Sequence, residues 1–135
     1  MSRFDTTRFL LVCGAGAVGT GVRYLVALAL AGRVSTTFPL ATLTVNLLGC
    51  FLIALVVQLA LSVPSFSDHL RVVLTTGFLG GLTTFSTFSA EVVQQLLDGR
   101  PGWALATVAV HVAGSLALTL LGIGTVALLR GLRPA

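Results

Sequence analysis

Four apolar stretches, approximately residues 9–31, 38–63, 70–97 and 103–129, take up almost all of the 135-residue chain and leave it few folds to choose from. At about 1.5 Å per residue, each is long enough to cross a hydrocarbon core of about 30 Å as a helix. With 56% apolar and 9% charged residues and a mean hydropathy of +1.03, the chain cannot be laid out as a soluble globule. The expected fold is therefore an all-α membrane protein with four transmembrane helices, a single domain over residues 1–135. The linkers GRVSTTFP, VPSFSDH and DGRPG are short, and Pro39, Pro64 and Pro101 stand at or just before helix starts. An even number of spans puts both termini on one side of the bilayer.

All eight basic side chains are arginine, and a pI near 10.6 would suggest nucleic acid in a soluble protein. In a membrane chain the charges report orientation instead. Arg3, Arg8, Arg71, Arg130 and Arg133 fall at helix ends on the terminal side, against Arg33 and Arg100 in the opposite loops and Arg23 near the far end of the first span. This modest bias favours cytoplasmic termini and leaves room for insertion both ways.

Two features of the first span mimic other chemistries. MSRFDTTRFLLVCGAGA looks like a lipoprotein leader, but the run before Cys13 is short, Val12 stands where a small residue is wanted, and hydrophobicity continues past it. Gly14, Gly16 and Gly19 match the dinucleotide spacing G-x-G-x-x-G, yet no strand precedes them and no acidic residue follows about twenty positions on. Ala15/Gly19 and Ala17/Gly21 have instead the small-xxx-small spacing of closely packed membrane helices. Cys13 and Cys50 lie in separate spans and read as small packing residues.

Polar groups within the spans are costly, and four places carry them: Arg23, Asn46, His111 and the run from Gly80 to Glu91. The first three have plain readings: a snorkelling arginine, an interhelical hydrogen bond worth about 0.6 kcal/mol, and a satisfied core histidine. The run GGLTTFSTFSAE is harder to dismiss. Thr83, Thr84, Ser86, Thr87 and Ser89 crowd five hydroxyls into seven residues, more than hydroxyls hidden on i−4 carbonyls would explain. Helical spacing puts Phe85 and Phe88 on one stripe, about 4.5 Å apart in height. The Gly80-Gly81 pair near the middle of the span permits a break that frees carbonyls, tolerable at that depth only inside protein or beside a hydrated path.

GGLTTFSTFSAE, Asn46 followed by Gly49, and GTGVRY in the first span together resemble the Fluc (CrcB) family of fluoride channels, over the whole chain. The resemblance implies an antiparallel, dual-topology homodimer in the cell (inner) membrane, with the third helix broken near the midplane and two fluoride pores. It also implies a structural sodium ion at the dimer centre, held by the backbone carbonyls of Gly80 and Thr83 from both chains. Phe85 and Phe88 would be the family's phenylalanine box, Asn46 its second-span polar contact, Arg23 its vestibule arginine, and Ser86, Thr87 and Thr42 members of its hydroxyl track. Glu91 would stand at a pore mouth. Thr107, His111 and Ser115 fall at i, i+4 and i+8 on the fourth span, where the family carries hydroxyls, so His111 departs from the pattern. These residue types suit a small, tightly hydrated anion, which must be offered hydroxyls, an amide NH2 and electropositive ring edges in place of water.

A different class, the small dual-topology proton-coupled multidrug exporter, needs a carboxylate deep in the first span, and this chain has none there. A purely structural subunit would carry small-residue packing without a polar stripe. An enzyme is not expected, since neither a nucleophile with its base nor paired carboxylates stand out.

Overall fold

A computed structural model describes residues 5–31 and 38–131; Arg3, Arg33 and Arg133 lie outside them. The regular structure among the described residues is all helical: α1 (Thr6–Leu30), α2 (Leu40–Ser62), α3 (Asp68–Val72), a π-helix (Val73–Leu79), α4 (Gly80–Leu82), α5 (Phe85–Leu97) and α6 (Pro101–Leu129). Taken as continuous stretches, Thr6–Leu30, Leu40–Ser62, Asp68–Leu97 and Pro101–Leu129 are each long and apolar enough to cross a membrane. Large side chains such as Leu116, Leu120 and Leu128 are exposed along them, as lipid-facing surfaces require.

The ends of these helices follow from local chemistry. α1 begins upstream of the apolar run because Asp5 caps it, its carboxylate accepting the Arg8 amide at 3.0 Å. At the same end Arg8 and Arg71 both pair with Asp68, tying the start of α1 to the start of α3. α5 stops at a turn through Gly99, whose φ of 72° suits glycine, and Pro101 opens α6 where its missing amide costs nothing. At the opposite end from Asp68, Phe38 meets Trp103 edge-on, centroids 6.2 Å apart, joining the starts of α2 and α6.

The packing divides into two pairs, α2 on α6 and α1 on the π-helix and α4, with α5 returning along α6. Val45, Leu79 and Leu82 form the buried centre, flanked by Val22, Val26, Leu52 and Phe78. Small residues set the distance between α1 and the third span. A Cβ on Gly19 would lie 2.0 Å from the Phe78 carbonyl oxygen, and one on Gly81 would lie 2.3 Å from that of Gly16. The Ala15/Gly19 spacing thus packs within the chain: Ala15 stands against Gly77, where an added Cβ would come within 2.9 Å of its methyl. Ala17 and Gly21 are exposed, and a Cβ at Gly21 would meet nothing. Gly19→Ala should therefore cost about 1–3 kcal/mol, because backbone atoms have no rotamer to escape into, while Gly21→Ala should be neutral. Thermal unfolding in detergent checks this, and equal midpoints for the two variants would contradict it.

Gly80 and Gly81 are helical, not the point of interruption: Gly80 has φ −64° and ψ −34°. The extended residues are Thr83 (φ −87°, ψ 159°) and Thr84 (φ −153°, ψ 118°), between α4 and α5.

Candidate functional site

The two extended threonines are held from outside their own segment. Asn46 on α2 accepts the Thr84 amide at 2.8 Å and donates to the Thr84 carbonyl at 3.0 Å, so one side-chain amide satisfies both backbone groups of a residue outside any helix. One turn further along α2, Gly49 makes room for the Thr83 side chain; a Cβ there would lie 2.1 Å from Thr83 Cγ2. The Asn46/Gly49 spacing therefore carries two parts of one device. Thr84 then caps α5, its hydroxyl oxygen accepting the Thr87 amide at 3.2 Å.

This rerouting has an electrostatic result. In a continuous helix the Thr84 amide would return to the Gly80 carbonyl and the Thr87 amide to that of Thr83. Here the first donates to Asn46 and the second to the Thr84 hydroxyl. Two carbonyls, those of Gly80 and Thr83, are thereby released from their helical donors, and Gly80 is exposed on the surface of the chain. Freed carbonyl oxygens are hard ligands suited to a small cation.

A cavity of about 470 Å³ opens beside this splice, bordered by Asn46, Gly80, Thr83, Phe85, Phe88, His111 and Ser115. The Phe85 and Phe88 rings lie 5.5 Å apart at 54°, and Phe88 lies 4.5 Å from the His111 ring at 40°. Phe85 is 78% exposed, a large share for a phenylalanine. His111 is buried, its Nδ1 2.9 Å from the Thr107 carbonyl oxygen, and its Nε2 has no partner.

A second cavity, about 300 Å³, lies on the other side of Thr84 and is bordered by Thr20, Arg23, Tyr24, Thr42 and Thr87. Thr84 borders both, and its hydroxyl is the hub between them, donating to Thr87 Oγ1 at 3.0 Å and lying 3.2 Å from Ser86 Oγ. Thr42 donates to Glu91 Oε1 at 2.6 Å, and Glu91 Oε2 is buried without a partner. Because α5 and α6 run back along each other and Phe88 stacks on His111, Glu91 and Thr107 each stand one turn further in the same direction. The Thr107 hydroxyl is also buried without a partner. Three buried polar atoms without partners thus lie along one interhelical seam.

The expected site residues thus divide. Asn46, Phe85, Phe88, His111, Ser115, Gly80 and Thr83 meet at the first cavity; Arg23, Thr42 and Thr87 meet at the second; Ser86 joins them through Thr84, and Glu91 through Thr42. Thr84 is the central residue that site assignment from the sequence passed over. Its signal was a hydroxyl residue directly before a helix restart, the ordinary mark of an N-cap. Together the two cavities present hydroxyls, amide and guanidinium donors and ring edges, with the Glu91 carboxylate behind Thr42.

The sequence model of the family described as "CrcB-like protein, Camphor Resistance (CrcB)" matches residues 10–123. The chain is 42% identical over 126 residues to "Fluoride-specific ion channel FluC" of Dechloromonas aromatica, covering 93% of each. It is 47% identical over 117 residues to the protein of the same name from Variovorax paradoxus, covering 87% of this chain and 92% of that one. The protein of that name from Tolumonas auensis is 52% identical over 94 residues, 70% of this chain and 74% of its own length.

Proposed function

The chain belongs to the CrcB family, and from that premise we propose that it is a fluoride-selective channel through which toxic cytoplasmic fluoride leaves the cell passively. The observation that carries the reading is the pair of donor-lined cavities meeting at Thr84, with the Phe85 and Phe88 rings beside Asn46. Fluoride gives up tightly held water only where other donors replace it. Arg23 draws the anion into a vestibule, and the Thr42, Ser86, Thr87 and Ser115 hydroxyls hand it along. The ring edges of Phe85 and Phe88 and the remaining Nδ2 hydrogen of Asn46 hold it at the narrowest point. Glu91 stands at a mouth of the route, where its charge opposes an anion's lingering. No bond is made or broken, so this multi-pass membrane protein is not an enzyme.

The active unit is an antiparallel homodimer in the cell (inner) membrane. Phe85 at 78% exposure and the exposed Gly80 mark a face that an inverted second copy would cover, closing the side of the first cavity. About the resulting two-fold axis, each copy would present the released carbonyls of Gly80 and Thr83 to one structural sodium ion. Bound there, sodium supplies a fixed positive charge and a link between subunits. The extended Thr83-Thr84 pair is then the break of the third transmembrane helix near the bilayer midplane, sheltered from lipid by the partner.

Two experiments test these claims. Liposomes holding only the purified protein should release fluoride down its gradient and retain chloride; equal release of both ions would defeat the channel reading. Single cysteines near each terminus, on a Cys13→Ser, Cys50→Ser background, should label from both faces of the membrane in active protein. Labelling from the cytoplasmic face alone would rule out the antiparallel dimer.

A further inference from the structure

His111 sits where the proposed route leaves the phenylalanines, and its surroundings specify which nitrogen can act. A carbonyl oxygen can only accept, so the 2.9 Å contact with Thr107 requires the proton on Nδ1. The neutral ring is then the Nδ1–H tautomer, and Nε2 carries a bare lone pair. The residue is 5% exposed, Nε2 has no partner, and the ring borders the first cavity, stacked on Phe88. Beside an anion's path a bare lone pair repels the anion, whereas an N–H at the same place binds it.

The other titratable or charged side chains facing His111 are few. α2 and α5 pack against α6. α2 contributes Cys50, which borders the same cavity. α5 contributes Glu91, one turn along the seam, with Oε1 already taken by the Thr42 hydroxyl. α6 carries no other charged or titratable group between Pro101 and Leu129.

We propose that His111 is a proton-linked fluoride ligand: Nε2 holds fluoride through N–H as the imidazolium and lets it go as the neutral ring. The proton comes from bulk water and returns to it, Nδ1 stays on the Thr107 carbonyl throughout, and no other bond changes. Ligand and proton then favour each other's binding by the same factor. Throughput becomes sensitive to acidity at one named atom. This inference rests on the fluoride-channel reading.

The test uses both histidines of the chain, His69 and His111. His69→Gln protein, 15N-labelled at histidine and held in lipid bicelles at about pH 6, leaves one imidazole to observe. Sodium fluoride should move its Nε2 resonance toward the protonated position, and the same concentration of sodium chloride should not. In wild-type liposomes the fluoride concentration giving half-maximal flux should be at least about threefold lower at pH 6 than at pH 8. His111→Gln, whose amide N–H does not titrate, should lose that dependence. Wild-type fluoride flux with one half-saturating concentration at both pH values, or with an unmoved Nε2 resonance, would overturn the inference and leave the channel reading intact. Persistence of the pH dependence in His111→Gln would also overturn it, and absence of wild-type fluoride flux would remove the channel reading beneath it.

Discussion

Phe88→Ile should lower fluoride flux by roughly tenfold or more while the protein elutes at the same volume as the wild type. Isoleucine keeps apolar bulk beside the cavity but has no electropositive edge. The Phe88 ring meets both Phe85 and His111, at 5.5 Å and 4.5 Å, and aromatic contacts of this kind are worth about 0.5–1.5 kcal/mol each beyond area. The edge offered to the anion, at the upper end of that range, accounts for a factor of roughly ten. Phe85→Ile should also reduce flux, with a smaller effect on folding, because Phe85 is 78% exposed within its own chain. Fluoride-electrode recordings from liposomes measure the flux, and elution volume reports assembly. Undiminished flux in both variants would mean that the rings only fill space.

Asn46→Asp should have the larger effect and bring fluoride flux below detection. The aspartate retains an oxygen to accept the Thr84 amide but loses the donor now 3.0 Å from the Thr84 carbonyl. More damaging, it places a negative charge beside the proposed route of the anion. Two like charges about 4 Å apart in an effective dielectric near 20 repel by about 4 kcal/mol, roughly a thousandfold in occupancy. Asn46→Ala separates the two roles of the side chain. It adds no charge but strands both Thr84 backbone groups, which should cost about 1–3 kcal/mol of stability. Thermal unfolding in detergent together with flux distinguishes them: Asp should block conduction with the milder loss of stability, Ala should show the greater loss. An Asp variant that conducts like the wild type would place Asn46 outside the route.

The contrast between these side chains shows what a single sequence makes legible. The four spans are readable because lipid imposes one composition on any segment that crosses it. The hydroxyl run stands out for the converse reason, since those groups have no business facing lipid. Glycine flexibility suggests an interruption at Gly80-Gly81, yet both are helical, and the extended residues are Thr83 and Thr84. What decides the matter is Asn46, thirty-eight positions away in sequence, and no local pattern reports that its amide will meet the Thr84 backbone. The π-helix Val73–Leu79 likewise has no signature in its apolar letters.

Distance in sequence hides the rest as well. The Phe88–His111 stack depends on how α6 returns against α5 across the Gly99 turn, and the Thr42–Glu91 hydrogen bond on the register of α2 against α5. Small residues mark where helices can approach, and Gly19 does so, but Gly21 has the same spacing and faces open space. Spacing specifies a face of a helix; the partner of that face is settled by packing.

The zero-current voltage across a planar bilayer holding the purified protein, with fluoride at unequal concentrations on the two sides and chloride present on both, tests the central claim most directly. For a fluoride-selective passive pore that voltage should follow fluoride alone, moving by about 59 mV for each tenfold change in fluoride, the factor for a single charge. Changes in chloride should leave it where it is. A voltage that shifts with chloride, or a bilayer that carries no fluoride current at all, would contradict the account.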